Sequence, residues 1–311
     1  MIIKAPIDLE LTQNSGQTSQ PPWKLDNNIY SDVVVADNKA VLFQVKQKEN
    51  NLDFNFIGDI SNKEATKKIK TIFDLDFNLN KFYKYLNNQP ELADMTNFCR
   101  DLRLFLAKDK FECVISSVCS ANNSIVRWTK SIDDIKKSWG NKYTYSEKDY
   151  FTFPDVSDFK NIYCDDVEEF ECCSNLNNPG ECINNLKSCG VGYRAPYMKK
   201  ASEIFTLEMD LDDISKMSYD EAFDTMLKVP GVGPKVADCI LLYGFNFRQA
   251  FPTDVWIKRI VSYLYFAGTD INVSKIREFG MEEFGDYAGY VQLYLFHSAR
   301  MSGLMKKLKG M

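Results

Sequence analysis

The chemistry readable in this chain begins with one amine and one carboxylate. Lys235 follows the turn Val229-Pro230-Gly231-Val232-Gly233-Pro234, and Asp254 stands nineteen positions further on. Lys235 to about Gly244 has the pattern of a helix, with Val236, Ile240 and Tyr243 on one side. Asn246 to Thr253 reads as a return loop, and a second helix is expected to begin at Asp254. About ten helical residues carry the chain roughly 15 Å from the lysine, and eight loop residues span up to roughly 26 Å. The two side chains can therefore meet, each at the start of a helix. An ammonium is not a nucleophile, but the positive end of a helix and partial burial are both expected to favour the neutral amine. Such an amine beside a sugar can attack the anomeric carbon, expel the base and leave a Schiff base. A carboxylate opposite would stabilise cationic charge developing on the sugar. Asp254 also suits the N-cap of its own helix, and the two roles are compatible.

The elements that must position this pair are equally legible. Ser218 and Glu221 form a capping box for a helix before the turn. Gly231 and Gly233 supply backbone freedom, and Pro234 suits the first position of a helix. Residues 218–245 thus read as helix, tight turn, helix, a unit that presents amide hydrogens and a helix N-terminus to a phosphate. By itself this hairpin fits a non-catalytic DNA-binding module as well as an enzyme, since phosphate contact is the common task of such residues. The pairing with Asp254 is what favours a chemical site. The single histidine, His297, has no acidic or serine partner within sequence reach and reads as incidental.

The 311 residues allow two or three domains, with 45% hydrophobic and 26% charged residues, an ordinary globular balance. A net charge of −5 argues against a broadly basic nucleic-acid binder, although a local basic face still acts within roughly 10 Å. No apolar run is long enough for a membrane span, and MIIKAPIDLEL is too soon charged for a signal peptide. Nine cysteines without a paired spacing pattern point to reduced thiols and an intracellular address. Up to about residue 60 the chain reads as an antiparallel, curved sheet. Val33 to Val35, Val41 to Val45 and Leu52 to Ile57 are the strands, with turns at Asp37-Asn38 and Glu49-Asn50-Asn51. Two helices follow, one capped by Ser61 and Glu64 and carrying Ile69, Ile72 and Phe73, the other holding Phe82, Tyr85 and Leu86. From about Phe98 the pattern is helical to the end, including a buried stripe of Phe111, Val114, Ile115 and Val118.

Lys228 to Arg259 resembles the signature of the helix-hairpin-helix, Gly/Pro-Asp DNA glycosylases, and within them the chain most resembles the 8-oxoguanine DNA glycosylase/AP lyases. The resemblance implies an α+β protein, with an N-terminal antiparallel sheet domain like the TATA-binding protein over residues 1–108. An all-α catalytic domain over 109–311 would follow. It implies Lys235 as nucleophile and Asp254 as its carboxylate. Ser15-Gly16-Gln17 followed by Trp23 matches the family pattern in which the Gly16 carbonyl accepts a hydrogen bond from N7–H of the oxidised base. Guanine carries a lone pair there, so a fixed carbonyl attracts one base and repels the other. Cys239 would pack against the extruded purine. Gln292 and Phe296 would read its Watson–Crick edge and stack on its face. Asn122, Arg127 and Arg194 would contact the orphaned cytosine, while Asn123 lines the DNA surface. Tyr193, in Gly190-Val191-Gly192-Tyr193-Arg194, would wedge into the duplex. Gly231 and Gly233 fall on the DNA backbone. The carbonyls of Leu227, Val229 and Val232 correspond to positions that hold a cation bridging to a phosphate. Trp256 departs from the pattern, replacing a phosphate-contacting histidine found in some relatives.

Together these readings predict a monomer acting on double-stranded DNA that contains 8-oxoguanine opposite cytosine. It would remove the base through a lysine Schiff base and nick the strand by β-elimination, with no membrane attachment. No redox or nucleotide cofactor is implied; a structural cation at the hairpin is the one candidate. Three alternatives stay open: a non-catalytic hairpin protein, a glycosylase for alkylated bases, and a glycosylase for other damaged bases of the iron–sulfur type. Cys164, Cys172, Cys173, Cys182 and Cys189 fit neither zinc nor iron–sulfur spacing, and the acidic stretch they occupy reads as an insertion.

Overall fold

The computed structural model describes residues 1–36, 38–164 and 185–309. The expected sheet is present and fully antiparallel. Its strands are β1 (Ile2–Ile3), β2 (Lys24–Asp26), β3 (Ile29–Ala36), β4 (Lys39–Lys48) and β5 (Asn51–Ile57), in the order β1-β5-β4-β3-β2. The turn residues Asn38 and Glu49 take left-handed backbone conformations; Asp37 lies outside the described residues. Alternation along the strands gives the sheet two faces. Val34, Val41, Phe43, Val45 and Phe54 face a core completed by Trp23, Ile69, Ile72, Phe73 and Phe105. The Asn62–Ile72 helix that supplies part of this core has the Ser61–Glu64 capping box, with both reciprocal bonds formed. A short helix, Leu9–Asn14, stands among the expected strands because Asp8 caps it, accepting from the Leu11 amide at 2.8 Å.

The second unit is helical as expected, with one amendment to an all-helical chain after Phe98. Strands β6 (Lys142–Tyr145) and β7 (Lys148–Phe151) form a two-stranded ribbon. Ser146 and Glu147 both have positive φ, which makes a two-residue turn whose twist suits a hairpin. Tyr143, Tyr145 and Tyr150 pack with Val33 and Leu42, so the ribbon covers the outer face of the N-terminal sheet. That partner lies a hundred residues away in sequence, where a helical periodicity scan has no view of it. The second of the two early helices, Leu79–Asn87, also departs from a simple two-unit plan. Its Phe82 and Leu86 belong to the large helical core, where Phe82 meets the Tyr294 ring edge-on at 5.1 Å and Phe77 stacks on Tyr290 at 3.8 Å.

Two buried ionic knots join the units. The Asp74 carboxylate accepts from Arg248 at 2.6 Å and from the Tyr290 hydroxyl at 2.9 Å, while Arg103 donates to the Asp74 carbonyl at 2.6 Å. Asp32 on β3 pairs with Lys108 and lies 3.7 Å from Lys136, which is also 3.6 Å from Glu112. Although burial alone would raise the Asp32 pKa, the Lys108 and Lys136 ammonium groups outweigh it and hold the carboxyl below its ordinary value. The Asp74 knot matters most for the site, because it fixes both the loop carrying Arg248 and the Ala288–Met301 helix. Asp74→Asn should lower unfolding free energy by about 2 kcal/mol, read from urea denaturation at neutral pH. A change below about 0.5 kcal/mol would show that the knot is not a structural tie.

Candidate active site

The hairpin folds as its residues dictate. Ser218 caps the Tyr219–Leu227 helix with its full capping box. Gly231 has φ +82, and a Cβ there would come within 2.9 Å of the Tyr197 side chain, so only glycine lets the turn press against the Ala195–Leu207 helix. Gly233 is different: its φ is −92, and a Cβ would meet no protein atom within 4 Å. Its small size leaves the outer side of the hairpin open. The next helix runs Pro234–Phe245 with Pro234 in its first turn, and Asn246 closes it in the left-handed conformation. Phe251 and Thr253 in the return loop are buried. Asp254 then N-caps Val255–Tyr265, its side chain accepting from the Ile257 amide at 2.8 Å.

This path brings Lys235, Cys239 and Asp254 together. Cys239 lies one turn beyond Lys235 on the same helix face, and both its sulfur and the Asp254 carboxylate are near enough to act on the charge of the lysine. The net effect opposes the expectation of a resting neutral amine. The Cys239 sulfur raises the Lys235 pKa above its ordinary 10.5, with Asp254 and Asp238 adding to it, against desolvation that favours the amine. Burial also pushes the Cys239 thiol up. At neutral pH the thiol keeps its proton, so its charge acts on the lysine only at higher pH, and Asp254 is the anion left to act on the ammonium. The lysine must give up a proton before it can attack. Asp238, one position before Cys239, is fully buried. It accepts from Arg277 at 2.7 and 3.1 Å and from the Tyr219 hydroxyl, which ties the lysine's helix to the preceding one.

On the first unit, Gly16 has φ +73, and a Cβ there would overlap Ile125 at 2.7 Å. The loop holding it is stitched to the segment that ends the first unit by Thr18 donating to the Phe105 carbonyl and Gln20 to that of Leu106. Gln292 is 2% exposed and Phe296 half-buried, both on Ala288–Met301. His297 on the same helix is buried beside Arg300, and burial holds its pKa below the ordinary value.

A second cluster lies in the loop between Lys110–Ser120 and Ile125–Trp139. Asn122 and Arg127 are exposed, and Asn122 has φ 51, a conformation asparagine tolerates. Asn123 uses both ends of its amide locally, on the Cys119 carbonyl and the Ser124 amide. Tyr193 is 60% exposed, beside Gly192 at φ +59. Arg194 is placed differently from a surface reader. It is 8% exposed and donates to the carbonyls of Ala121, at 2.6 and 2.9 Å, and Asn122, at 3.0 Å. In this state it holds the Asn122 loop rather than offering free donors. The Val229 carbonyl accepts from the Val232 amide at 3.0 Å, which leaves it a second lone pair. Carbonyl oxygens are hard donors, so a cation held by Leu227, Val229 and Val232 would be a hard one rather than zinc. Arg259 stacks over Trp256 at 5.4 Å. Of the five spaced cysteines, Cys189 is a buried thiol and Cys164 is half-buried, while Cys172, Cys173 and Cys182 lie outside the described residues. Among the described residues no helix is long and apolar enough to cross a membrane.

Sequence reasoning did not find the Asp74 and Asp238 knots or the contact between Gln17 and Gln292. Their partners are 19 to 275 residues apart, and no local period links them.

A hairpin joined to a lysine and an N-capping aspartate, behind a five-stranded sheet, defines a class of base-excision repair protein. Residues 115–285 match the model of the HhH-GPD superfamily base excision DNA repair proteins, and residues 1–114 match that of the 8-oxoguanine DNA glycosylase N-terminal domain. A probable N-glycosylase/DNA lyase of Methanothermobacter thermautotrophicus is 44% identical over 303 residues, 97% of this chain and 96% of that protein. The 8-oxoguanine glycosylase/lyase of Clostridium acetobutylicum, solved with double-stranded DNA containing cytosine opposite 8-oxoG, superposes with a TM-score of 0.77. It is 28% identical, over 97% of this chain and 98% of that one. A 3-methyladenine DNA-glycosylase from Archaeoglobus fulgidus shares the fold with a TM-score of 0.77 at 20% identity, over 96% and 98%. The chain belongs to the 8-oxoguanine DNA glycosylase family of helix-hairpin-helix base excision repair proteins.

The charge state of Lys235 gives a measurable consequence. Because its pKa lies above 10.5, the amine is a minor form at pH 7 and grows with pH, so single-turnover base release should rise between pH 6.5 and 8.5. Asp254→Asn removes the anion that acts on the ammonium in this range and should move the rising limb to lower pH, whatever it does to the plateau rate. A limb that moves to higher pH would contradict this electrostatic role.

Proposed function

We propose that the protein removes 8-oxoguanine paired with cytosine and then cuts the strand at the vacated sugar. The observation that carries this reading is the amine of Lys235 at the start of one helix with the Asp254 carboxylate, itself the cap of the next, acting on it. The target bond is hidden in a duplex, so the nucleotide must first be extruded. Tyr193, exposed beside Gly192, is the side chain proposed to fill the gap. Gly16, Cys239, Gln292 and Phe296 form the proposed base pocket. Asn122 and Arg127 face the orphaned cytosine, with Arg194 holding their loop and joining the contact if its internal bonds are exchanged. The amides at Gly231 and Gly233 approach the backbone, and a cation held by the carbonyls of Leu227, Val229 and Val232 would neutralise a phosphate there.

In the chemical step Lys235 Nζ, having lost a proton, bonds to C1′ as the glycosidic bond breaks. The base leaves with the bonding electron pair and is protonated. Asp254 stabilises positive charge on the sugar during this exchange. The ring-opened sugar is then joined to Lys235 as a Schiff base, and loss of a C2′ proton expels the 3′ phosphate. Hydrolysis of the Schiff base frees the lysine. The Clostridium complex, with cytosine opposite the lesion, supports the choice of substrate. The Archaeoglobus similarity rests on the fold alone, and removal of alkylated bases would not require Lys235.

Borohydride trapping separates the readings. A covalent adduct should form with an 8-oxoguanine:cytosine duplex and be lost in Lys235→Gln; a stable adduct in that variant would assign the nucleophile elsewhere. Asp254→Asn should slow base release about 100-fold or more, and a rate within a factor of three of the original would remove its electrostatic role. Arg127→Ala should narrow the rate gap between cytosine and adenine opposite the lesion, and an unchanged gap would take Arg127 out of cytosine recognition.

A further inference from the structure

We infer that Gln17 is a positioning residue that sets the polarity of the base pocket, fixing Gln292 so that it presents an acceptor and so selects guanine-type over adenine-type edges. This rests on the pocket proposed above and names what decides its choice of base. Gln17 Nε2 faces the Gly16 carbonyl at 3.4 Å, and Gln17 Oε1 accepts from Gln292 Nε2 at 3.1 Å. Gln292 Oε1 is buried and accepts no hydrogen bond among the described residues. The arrangement forms a relay that starts from a group with no freedom to turn. A side-chain amide can flip to exchange donor and acceptor, but a backbone carbonyl presents oxygen only. Gly16 is locked by its positive φ and by Ile125 lying over it. Its oxygen draws the NH2 of Gln17, which turns the Gln17 oxygen toward Gln292. That oxygen draws the NH2 of Gln292 in turn, and the Gln292 oxygen is left as the open group.

A buried acceptor without a donor is costly, by about 1–3 kcal/mol for a neutral group, and a ligand that brings a donor removes the cost. Guanine-derived bases carry donors, N1–H and the 2-amino group, on the edge that Gln292 would read. Adenine-derived bases present an acceptor at N1. Gln292 alone could serve either by flipping its amide. With Gln17 in place a flip would set two carbonyl oxygens against each other, at Gln292 and Gln17, so the adenine-type arrangement is disfavoured. The Gly16 carbonyl retains a second lone pair for the base, which allows Gln17 to stay in place during recognition.

The experiment compares excision of 8-oxoguanine and 8-oxoadenine, each opposite cytosine, under single-turnover conditions, with thermal melting of each variant. Gln17→Met keeps the volume and removes the relay. It should lower 8-oxoguanine excision about tenfold and narrow the 8-oxoguanine to 8-oxoadenine ratio by a similar factor. Gln17→Glu keeps an oxygen facing the Gln292 amide and should preserve the ratio even where its absolute rate falls. A role in structure alone would lower both rates together in both variants and leave the ratio fixed. An unchanged ratio in Gln17→Met, or an equal narrowing in Gln17→Glu, overturns the inference while borohydride trapping still supports the enzyme. Failure of the unsubstituted protein to trap 8-oxoguanine DNA removes the underlying reading and this inference with it.

Discussion

A carboxylate buried between two cores has to find its counter-charges there, and Asp74 finds them on the elements that build the site. It stands just after the Asn62–Ile72 helix of the first unit, in a left-handed turn. Arg248 comes from the loop between the lysine's helix and that of Asp254, and Tyr290 from the helix of Gln292 and Phe296. A shift of either element would leave a buried charge or hydroxyl without its partner, at a cost well above that of a lost surface contact. One side chain thus fixes the distance between the two carriers of the pocket. The Asp32 cluster repeats the device on β3, where Lys108 and Lys136 pair with the strand and Lys136 also reaches Glu112 on the Lys110–Ser120 helix.

The state of the lysine shows how local forces compete once the chain is folded. The start of a helix and the loss of water both favour a neutral amine. Nearby negative charge favours the ammonium, and here it prevails. In the proposed reaction this makes the lysine a nucleophile held in reserve: the carboxylate assigned to stabilise charge on the sugar also acts on the ammonium that must first lose its proton. Cys239, a turn along the same helix, takes part in that balance while keeping its own proton at neutral pH.

The loops proposed to face DNA follow another logic. Asn122, Arg127 and Tyr193 are exposed, yet their backbones are held: Arg194 grips the carbonyls of Ala121 and Asn122, and Ser124 caps the helix that carries Arg127. Polar side chains on a stiff loop lose less freedom when they meet a partner than they would on a loose one. A net charge of −5 is compatible with this, because contact is made through a few local groups.

Short-range order was legible from the sequence alone. The capping boxes at Ser61 and Ser218, the turn of the hairpin, the cap at Asp254 and the three long strands each depend on residues within a few positions of one another. The spacing from Lys235 to Asp254 also showed that the pair could meet, since the intervening chain is only one helix and one loop. What required the tertiary structure was everything set by partners distant along the chain. The ribbon at Lys142–Phe151 exists because Val33 and Leu42 offer it a surface, and the Leu79–Asn87 helix joins the second core because Tyr290 and Tyr294 lie there. The protonation of Lys235 depended on how near Cys239 and Asp254 finally lie, and the internal use of Arg194 on where the Asn122 loop comes to rest. Periodicity records how a segment meets a surface, but it does not say which surface, and charge balance is decided only when that partner is in place.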